Sequence, residues 1–166
     1  MAQIIYLVGF MGAGKTTVGR CLAAKLGWTF LDLDEEIERR EGRTIAVIFK
    51  ADGEPHFRSL ERLCLKDVSS SHQTVIALGG GAFISPENRE IAETTGLTVW
   101  LKVSFGNIRL RVKIDGTRPN FPDPGKARLL FDAREPFYAL ARVHVSTDDG
   151  TPDSIADQII GVLEKS

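Results

Sequence analysis

Short apolar runs alternate along the chain with segments in which apolar residues recur every three to four positions. The runs predict strands, and the recurrence predicts helices between them. The first run, residues 3–8, is apolar almost throughout, which is typical of a strand buried on both faces of a parallel sheet. Strands that alternate with helices predict an α/β fold with right-handed crossovers.

The pattern predicts five strands and eight helices. Ser85 followed by Pro86, and likewise Ser104, are residue types expected where a helix begins. The predicted strands cover residues 3–8, 29–33, 74–78, 97–103 and 144–146. The predicted helices cover residues 15–26, 34–40, 44–49, 55–70, 86–95, 105–113, 127–141 and 152–164.

One segment, from Asp115 to Lys126, interrupts this pattern with three prolines, two glycines and few apolar residues. A long polar stretch inside an α/β chain is either functional or disordered. The sequence contains no repeat, low-complexity tract or linker. The chain is therefore predicted to form a single domain over residues 1–166.

Composition and charge narrow the class of protein. The 166 residues are 43% hydrophobic and carry a net charge of −1, so no basic surface is expected for nucleic acid or an anionic membrane. The apolar run at residues 4–10 is too short to span a bilayer and lacks the basic flank of a signal peptide. Cys21 and Cys64 lie among apolar neighbours in predicted helices, which favours free thiols in a reducing cytoplasm.

The strongest motif is GFMGAGKT at residues 9–16, which matches the phosphate-binding pattern G-x-x-x-x-G-K-[ST]. Backbone N–H groups must wrap phosphate oxygens closely, and this requires glycine torsions at Gly9, Gly12 and Gly14. Lys15 would place a positive charge between the β- and γ-phosphates, and the Thr16 hydroxyl would face Mg²⁺. The motif indicates a class of ligand but does not specify a reaction.

Two acids follow the second predicted strand, in the sequence Asp32-Leu33-Asp34. In an extended chain both carboxylates point the same way and Leu33 faces the core. The third strand ends in glycine and carries no acid, so Asp32 is the available partner for a metal ion. Asp34 could then face an acceptor hydroxyl as hydrogen-bond partner or base. A second interpretation stays open, in which both acids are solvated caps of the next helix.

Three arginines and a glycine triplet are further candidates. Arg58 and Arg134 fall in predicted helices, where a solvated surface role is the ordinary interpretation. The triplet at residues 79–81 costs folding entropy, so it indicates a close approach by a bound molecule. Arg118, in the polar segment, could move in and stabilise charge on a transferring phosphoryl group.

Taken together and in this order, these motifs resemble the shikimate kinase family over essentially the whole chain. The matching stretches are GFMGAGKTT at 9–17, DLD at 32–34, DGEPHFRSLE at 52–61, VIALGGGA at 75–82, GTRP at 116–119 and REPFY at 134–138. The resemblance implies a three-layer α/β sandwich of the P-loop NTPase type. It also implies a five-stranded parallel sheet of order 2-3-1-4-5, a mobile lid near residues 115–126 and a shikimate-binding region near 34–61.

The resemblance further implies ATP and Mg²⁺ as cofactors and phosphorylation of the 3-hydroxyl of shikimate, by a protein expected to be monomeric. The expected catalytic residues are Lys15, Asp34 and Arg118. The expected ATP contacts are Gly12, Ala13, Gly14, Lys15, Thr16, Thr17, Arg111 and Arg118. The expected shikimate contacts are Asp34, Arg58, Gly79, Gly80, Gly81 and Arg134, with Glu61 steadying Arg58. The metal is expected at Thr16 and, through water, at Asp32.

Two departures from the family pattern fall outside the proposed acceptor site. The lid reads RPNFPDPGKARLL where the family more often has RPLL, and STDDGTPD at 146–153 lacks an adenine-side arginine that some members carry. Two alternatives stay open: a kinase for gluconate or another polyol acid, and a nucleotide-binding regulator without catalysis. The second alternative predicts missing catalytic residues, and none is missing.

Overall fold

The computed structural model of the chain describes residues 3–115 and 123–165. A parallel sheet of five strands runs in the order β2-β3-β1-β4-β5, which confirms the predicted order. The strands are β1 Ile4–Val8, β2 Thr29–Asp32, β3 Thr74–Ala77, β4 Leu97–Lys102 and β5 Val143–Ser146. The helices are α1 Lys15–Leu26, α2 Leu33–Glu41, α3 Ile45–Asp52, α4 Glu54–Val68, α5 Pro86–Thr95, α6 Phe105–Asp115, α7 Pro124–Tyr138 and α8 Pro152–Lys165.

The strand order assigns the helices to the two faces of the sheet. The chain crosses from β1 to β2 in one direction, and all later crossovers run in the other direction. Since crossovers between parallel strands are right-handed, α1 lies on one face and α2 to α7 lie on the opposite face. Helix α8 packs against α1 and completes the first layer.

The centre of the sheet explains the continuous apolar pattern of the first strand. Every residue of β1 and β3 is buried, because each of these strands has a neighbour on both sides and helices on both faces. The edge strands β2 and β5 are more exposed. Cys64 is buried in this core, whereas Cys21 is half-buried, and both are free thiols.

Several helices begin at the side-chain caps that the sequence indicates. Ser85 accepts a hydrogen bond from the backbone N–H of Asn88, and Pro86 follows it as the first helical residue. Ser104 likewise accepts one from Asn107 N–H at 3.3 Å. These caps satisfy donors that a helix start would otherwise leave without a partner.

The prediction that residues 32–34 are extended is wrong. Strand β2 ends at Asp32, which is the N-cap of α2, and Leu33 is the first helical residue. The cause is the Asp32 carboxylate, which accepts a hydrogen bond from Glu35 N–H at 3.1 Å and so starts the helix earlier than predicted. Leu33 is nevertheless fully buried, as expected.

The two margins of the predicted lid are helical. Helix α6 extends to Asp115, and α7 begins at Pro124 with Asp123 as its cap. Arg118 lies outside the described residues. Within the ranges that the structure describes, no helix combines the length and the hydropathy needed to cross a bilayer.

A pair of glycine substitutions tests how tightly α1 packs on the sheet. A Cβ added at Gly19 would lie 3.0 Å from Cδ1 of Phe30 and 3.2 Å from Leu7, whereas one added at Gly161 of α8 meets nothing within 4 Å. Gly161→Ala should raise the free energy of unfolding by about 0.5–1 kcal/mol, because alanine favours helix. Gly19→Ala should lower it by about 1–2 kcal/mol, because overpacking outweighs that gain. Urea unfolding of both variants measures the difference, and equal stabilisation would contradict the tight packing.

Candidate active site

The loop between β1 and α1 has the backbone that its glycines predict. Gly9, Gly12 and Gly14 adopt φ angles of 154°, 84° and 90°, which side-chain-bearing residues rarely adopt. Gly14 is the N-cap of α1, so the positive end of the helix dipole lies at this loop. A helix N-terminus preceded by such a glycine loop binds phosphate.

Two side chains at the start of α1 face the ligand edge of the sheet. The Lys15 ammonium donates to the Gly9 carbonyl at 2.6 Å, which holds the lysine over the loop. The Thr16 hydroxyl donates to a carboxylate oxygen of Asp32 at 3.0 Å. The other Asp32 oxygen caps α2, so the capping interpretation is confirmed for Asp32, whereas its role as a metal partner stays a prediction.

The Thr16–Asp32 pair has the donor chemistry that Mg²⁺ requires. A hydroxyl oxygen and a carboxylate oxygen meet beside the phosphate loop, and Mg²⁺ prefers oxygen ligands. No group of three His, Cys, Asp or Glu side chains that could hold a metal occurs in the part of the chain that the structure describes. This donor set fits an ion held by one or two protein groups together with water and substrate phosphate, which is the usual mode for Mg²⁺.

A cavity of about 670 Å³ lies at the carboxyl ends of β1, β2 and β3. Open α/β sheets bind their ligands at this edge. The cavity brings together residues that the sequence placed on separate elements. Those lining it are Lys15, Thr16, Asp32, Asp34, Arg58, Gly79, Gly80, Gly81 and Arg134.

Four of the other residues expected to bind ATP do not line this cavity. Gly12, Ala13, Gly14 and Thr17 lie in the phosphate loop and the first turn of α1. Arg111 lies in α6. The roles of these residues, and that of Arg118, stay predictions.

Part of the cavity wall was not found from the sequence. Ile45, Phe49 and Phe57 give it an apolar side formed by α3 and α4, and Met11, Glu35 and Glu38 also line it. The four-residue spacing of Ile45 and Phe49 indicated a common helix face. It did not indicate which way that face would turn.

Asp34 lies in the first turn of α2 and is half-buried at the cavity wall. Burial raises the pKa of its carboxyl above the ordinary value of 3.8, and the neighbouring Asp32 carboxylate adds to this rise. The Lys15 ammonium and the Arg58 guanidinium oppose it. The carboxyl is therefore a stronger proton acceptor than a solvated aspartate.

Arg58 is held by a buried acid on its own helix. Its Nη1 donates to both carboxylate oxygens of Glu61, at 3.0 and 3.1 Å, and Glu61 is only 1% exposed. Burial raises the pKa of the Glu61 carboxyl, whereas the Arg58 charge lowers it. The pairing fixes the direction of the Arg58 guanidinium, whose Nε and Nη2 also donate to Glu54 at 3.4 Å, and Arg58 lines the cavity.

The glycine triplet at residues 79–81 provides space for charged side chains. A Cβ on its first glycine would lie 2.7 Å from a carboxylate oxygen of Asp34, and one on its third glycine 2.5 Å from Nη2 of Arg58. A Cβ on the middle glycine would lie 3.0 Å from Nη1 of Arg134. The sequence analysis predicts that a bound molecule approaches this triplet. The structure adds that a side chain at any of the three positions would displace the charged group beside it.

A glycine-rich phosphate loop after the first strand of a parallel sheet of order 2-3-1-4-5 defines the fold of a P-loop kinase. A family model described as shikimate kinase matches residues 11–164. A shikimate kinase of Thermobifida fusca is 46% identical, over 92% of this chain and 90% of that protein. One of a Sulfurihydrogenibium species is 39% identical, over 97% and 98%.

A solved structure is similar over nearly all of the fold. It is the shikimate kinase from Acinetobacter baumannii in complex with shikimate, with a TM-score of 0.92 and 39% sequence identity. The match covers 99% of this chain and 94% of that one. The chain belongs to the shikimate kinase family.

The raised pKa of Asp34 predicts a stability cost that depends on pH. As the pH rises through the ordinary value of 3.8, the unfolded chain releases this proton before the folded chain does, so folded stability falls. Asp34→Asn removes the buried carboxylate. Its free energy of unfolding should exceed that of the wild type at pH 7, and the excess should shrink towards pH 4. Urea unfolding at both pH values measures this.

The matched control for this experiment is Asp132→Asn. Asp132 is exposed and pairs with Arg128 on the surface of α7, so its loss should change the free energy of unfolding by less than about 0.5 kcal/mol at either pH. An Asp34→Asn variant that is less stable than the wild type at pH 7 would show that the buried carboxylate is favourable.

Proposed function

We propose that the protein transfers the γ-phosphoryl group of ATP to the 3-hydroxyl of shikimate. One observation carries this proposal: Asp34, Arg58 and Arg134 surround a single cavity that also reaches the phosphate loop. A donor phosphate and a small acidic polyol could therefore lie next to each other. The similarity to a shikimate-bound kinase at a TM-score of 0.92 supports the choice of acceptor.

The chemistry of the cavity matches the functional groups of shikimate, which has one carboxylate and three ring hydroxyls. Planar guanidinium groups bind carboxylates in a fixed geometry, which suits Arg58 and Arg134. The Asp34 carboxylate can accept hydrogen bonds from ring hydroxyls. The apolar wall formed by Ile45, Phe49 and Phe57 can contact the carbon ring.

Catalysis would depend mainly on positioning and on charge. Lys15, and by prediction Arg118, would neutralise charge that spreads over the oxygens of the transferring phosphoryl group. Asp34 would orient the attacking hydroxyl and accept its proton as the new O–P bond forms and the bond to ADP breaks. Because phosphoryl transfer is usually loose, orientation is the larger part of its role.

The nucleotide would be held by Gly12, Ala13, Gly14, Lys15, Thr16 and Thr17, with Arg118 at its phosphates and Arg111 on its adenine. A bound Mg²⁺ would supply positive charge that offsets the negative charge of the ATP phosphates. The Thr16 hydroxyl, and Asp32 through water, would hold the ion.

We also propose that the protein acts as a monomer in the cytoplasm and binds neither nucleic acid nor membrane. The cavity is built by residues of one chain. The net charge of −1 provides no general attraction for polyanions.

An acceptor panel tests the proposed reaction. Purified protein with ATP and Mg²⁺ should release ADP with shikimate and much more slowly with gluconate, quinate or glycerate. A coupled assay of ADP measures this, and product analysis locates the phosphate on the 3-hydroxyl. Turnover with gluconate and none with shikimate would replace the acceptor. ATP binding without turnover of any acceptor would favour a regulatory protein.

The carboxylate clamp is tested by Arg58→Ala. Loss of a charge-assisted contact to one substrate should raise the shikimate KM by about 10- to 100-fold. The ATP KM should stay within about 2-fold of the wild type, because the contact belongs to one substrate only. Arg58→Lys keeps the charge beside Glu61 and should give an intermediate KM.

The matched control is Arg62→Ala, one turn further along α4. Arg62 pairs with Glu87 at 3.4 Å and does not line the cavity, so both KM values should remain at wild-type level. Equal increases of both KM values in Arg58→Ala would argue against a clamp specific for the acceptor.

A further inference from the structure

The turn that follows β3 is held by side chains from two helices. Asn88 of α5 donates to the Ala82 carbonyl at 2.9 Å and so fixes the end of the turn. The glycine triplet itself is held from α7. There the Tyr138 hydroxyl donates to the Gly80 carbonyl at 2.5 Å, across a sequence separation of 58 residues.

This hydrogen bond determines the direction of a peptide group at the cavity wall. The Gly80–Gly81 peptide is trans, so the Gly80 carbonyl and the Gly81 N–H point in opposite directions. Tyr138 does not line the cavity, whereas Gly80 and Gly81 do. A carbonyl turned towards Tyr138 therefore turns the Gly81 N–H away from Tyr138.

Two N–H groups of the triplet are available for a ligand. Within residues 3–115 and 123–165, neither Gly80 N–H nor Gly81 N–H donates a hydrogen bond. Backbone donors that are buried or partly buried normally have a hydrogen-bond partner. Here an oxygen atom of a bound ligand could be that partner. The guanidinium groups of Arg58 and Arg134 lie beside the same two glycines.

We propose that Tyr138 is a positioning residue for the substrate shikimate. Its hydroxyl orients the Gly80–Gly81 peptide so that the Gly81 N–H faces an oxygen atom of shikimate. Tyr138 itself does not touch the acceptor. The proposal rests on the proposed function, since it assumes that the cavity holds shikimate.

The surroundings of Tyr138 suit this role. The side chain is 2% exposed, and its ring packs near Trp100 with 6.3 Å between ring centroids. Burial raises the pKa of the Tyr138 hydroxyl to about 12, although the nearby Arg134 charge lowers it. The hydroxyl therefore keeps its proton, and remains a donor, throughout the neutral range.

The position of Tyr138 on α7 connects it to the carboxylate clamp. Arg134 lies four residues earlier on the same helix, and positions four apart share a helix face. A Cβ on Gly80 would lie 3.0 Å from Nη1 of Arg134 and 3.8 Å from the Tyr138 hydroxyl. One helix thus supplies a guanidinium donor and also sets the direction of the backbone donor beside it.

The test compares the two tyrosines of the chain. Tyr138→Phe removes the hydroxyl and keeps the ring. It should raise the shikimate KM by about 3- to 10-fold and leave the ATP KM within about 2-fold of the wild type. Tyr6→Phe removes the hydroxyl of an equally buried residue, which pairs with Thr95 at 2.6 Å away from the cavity, and should change neither KM.

Steady-state kinetics of the three proteins, with urea unfolding of each, separate positioning from stability. If the Tyr138 hydroxyl only stabilised the fold, Tyr138→Phe would lower the free energy of unfolding, as Tyr6→Phe would. The ratio of the shikimate KM to the ATP KM would then stay unchanged in both variants. The wild type could phosphorylate shikimate while Tyr138→Phe has the same ratio of shikimate KM to ATP KM. That result would overturn the role of Tyr138 and leave the proposed function standing. A wild type without shikimate turnover would overturn the proposed function, and this role with it.

Discussion

The parallel pairing of β1, β2 and β3 is the constraint on which the site depends. Leu7 and Asp32 both pair with Ala77, so the three strands end at one level. The phosphate loop, the acid pair and the glycine triplet each follow one of these strands and therefore meet at a common edge. A slip of one residue in β2 would turn its side chains to the opposite faces and separate Asp32 from Thr16.

This convergence buries charge, and neighbouring groups of opposite charge offset part of the cost. Glu61 is almost fully buried and is paired with Arg58, and Asp34 is flanked by Lys15 and Arg58. Removing Arg58 would leave the Glu61 carboxylate buried without its partner, which costs more than the pair contributes. The glycines at 79–81 let these groups approach the backbone closely. The arrangement favours ligand binding at some expense in stability.

Hydrogen bonds also connect the segment after β5 to the start of α6. The segment after β5 lacks the arginine that some family members carry there, and it contains Asp148. The Asp148 carboxylate accepts hydrogen bonds from Ser104 N–H at 2.9 Å and from the Asn107 side chain at 2.8 Å. It thereby ties the end of the sheet to the start of α6, the helix that carries Arg111.

The sequence by itself determined the phosphate loop, the strand–helix alternation and the caps at Ser85 and Ser104, because glycine torsions and capping bonds involve near neighbours. With the family resemblance it also indicated the charged residues of the site. Only the tertiary structure decided that Asp32 accepts a hydrogen bond from Thr16, that Phe49 faces the cavity and that Tyr138 holds Gly80. The reason is physical: the face that a helix buries, and the carbonyl that a distant hydroxyl reaches, depend on how separate elements pack.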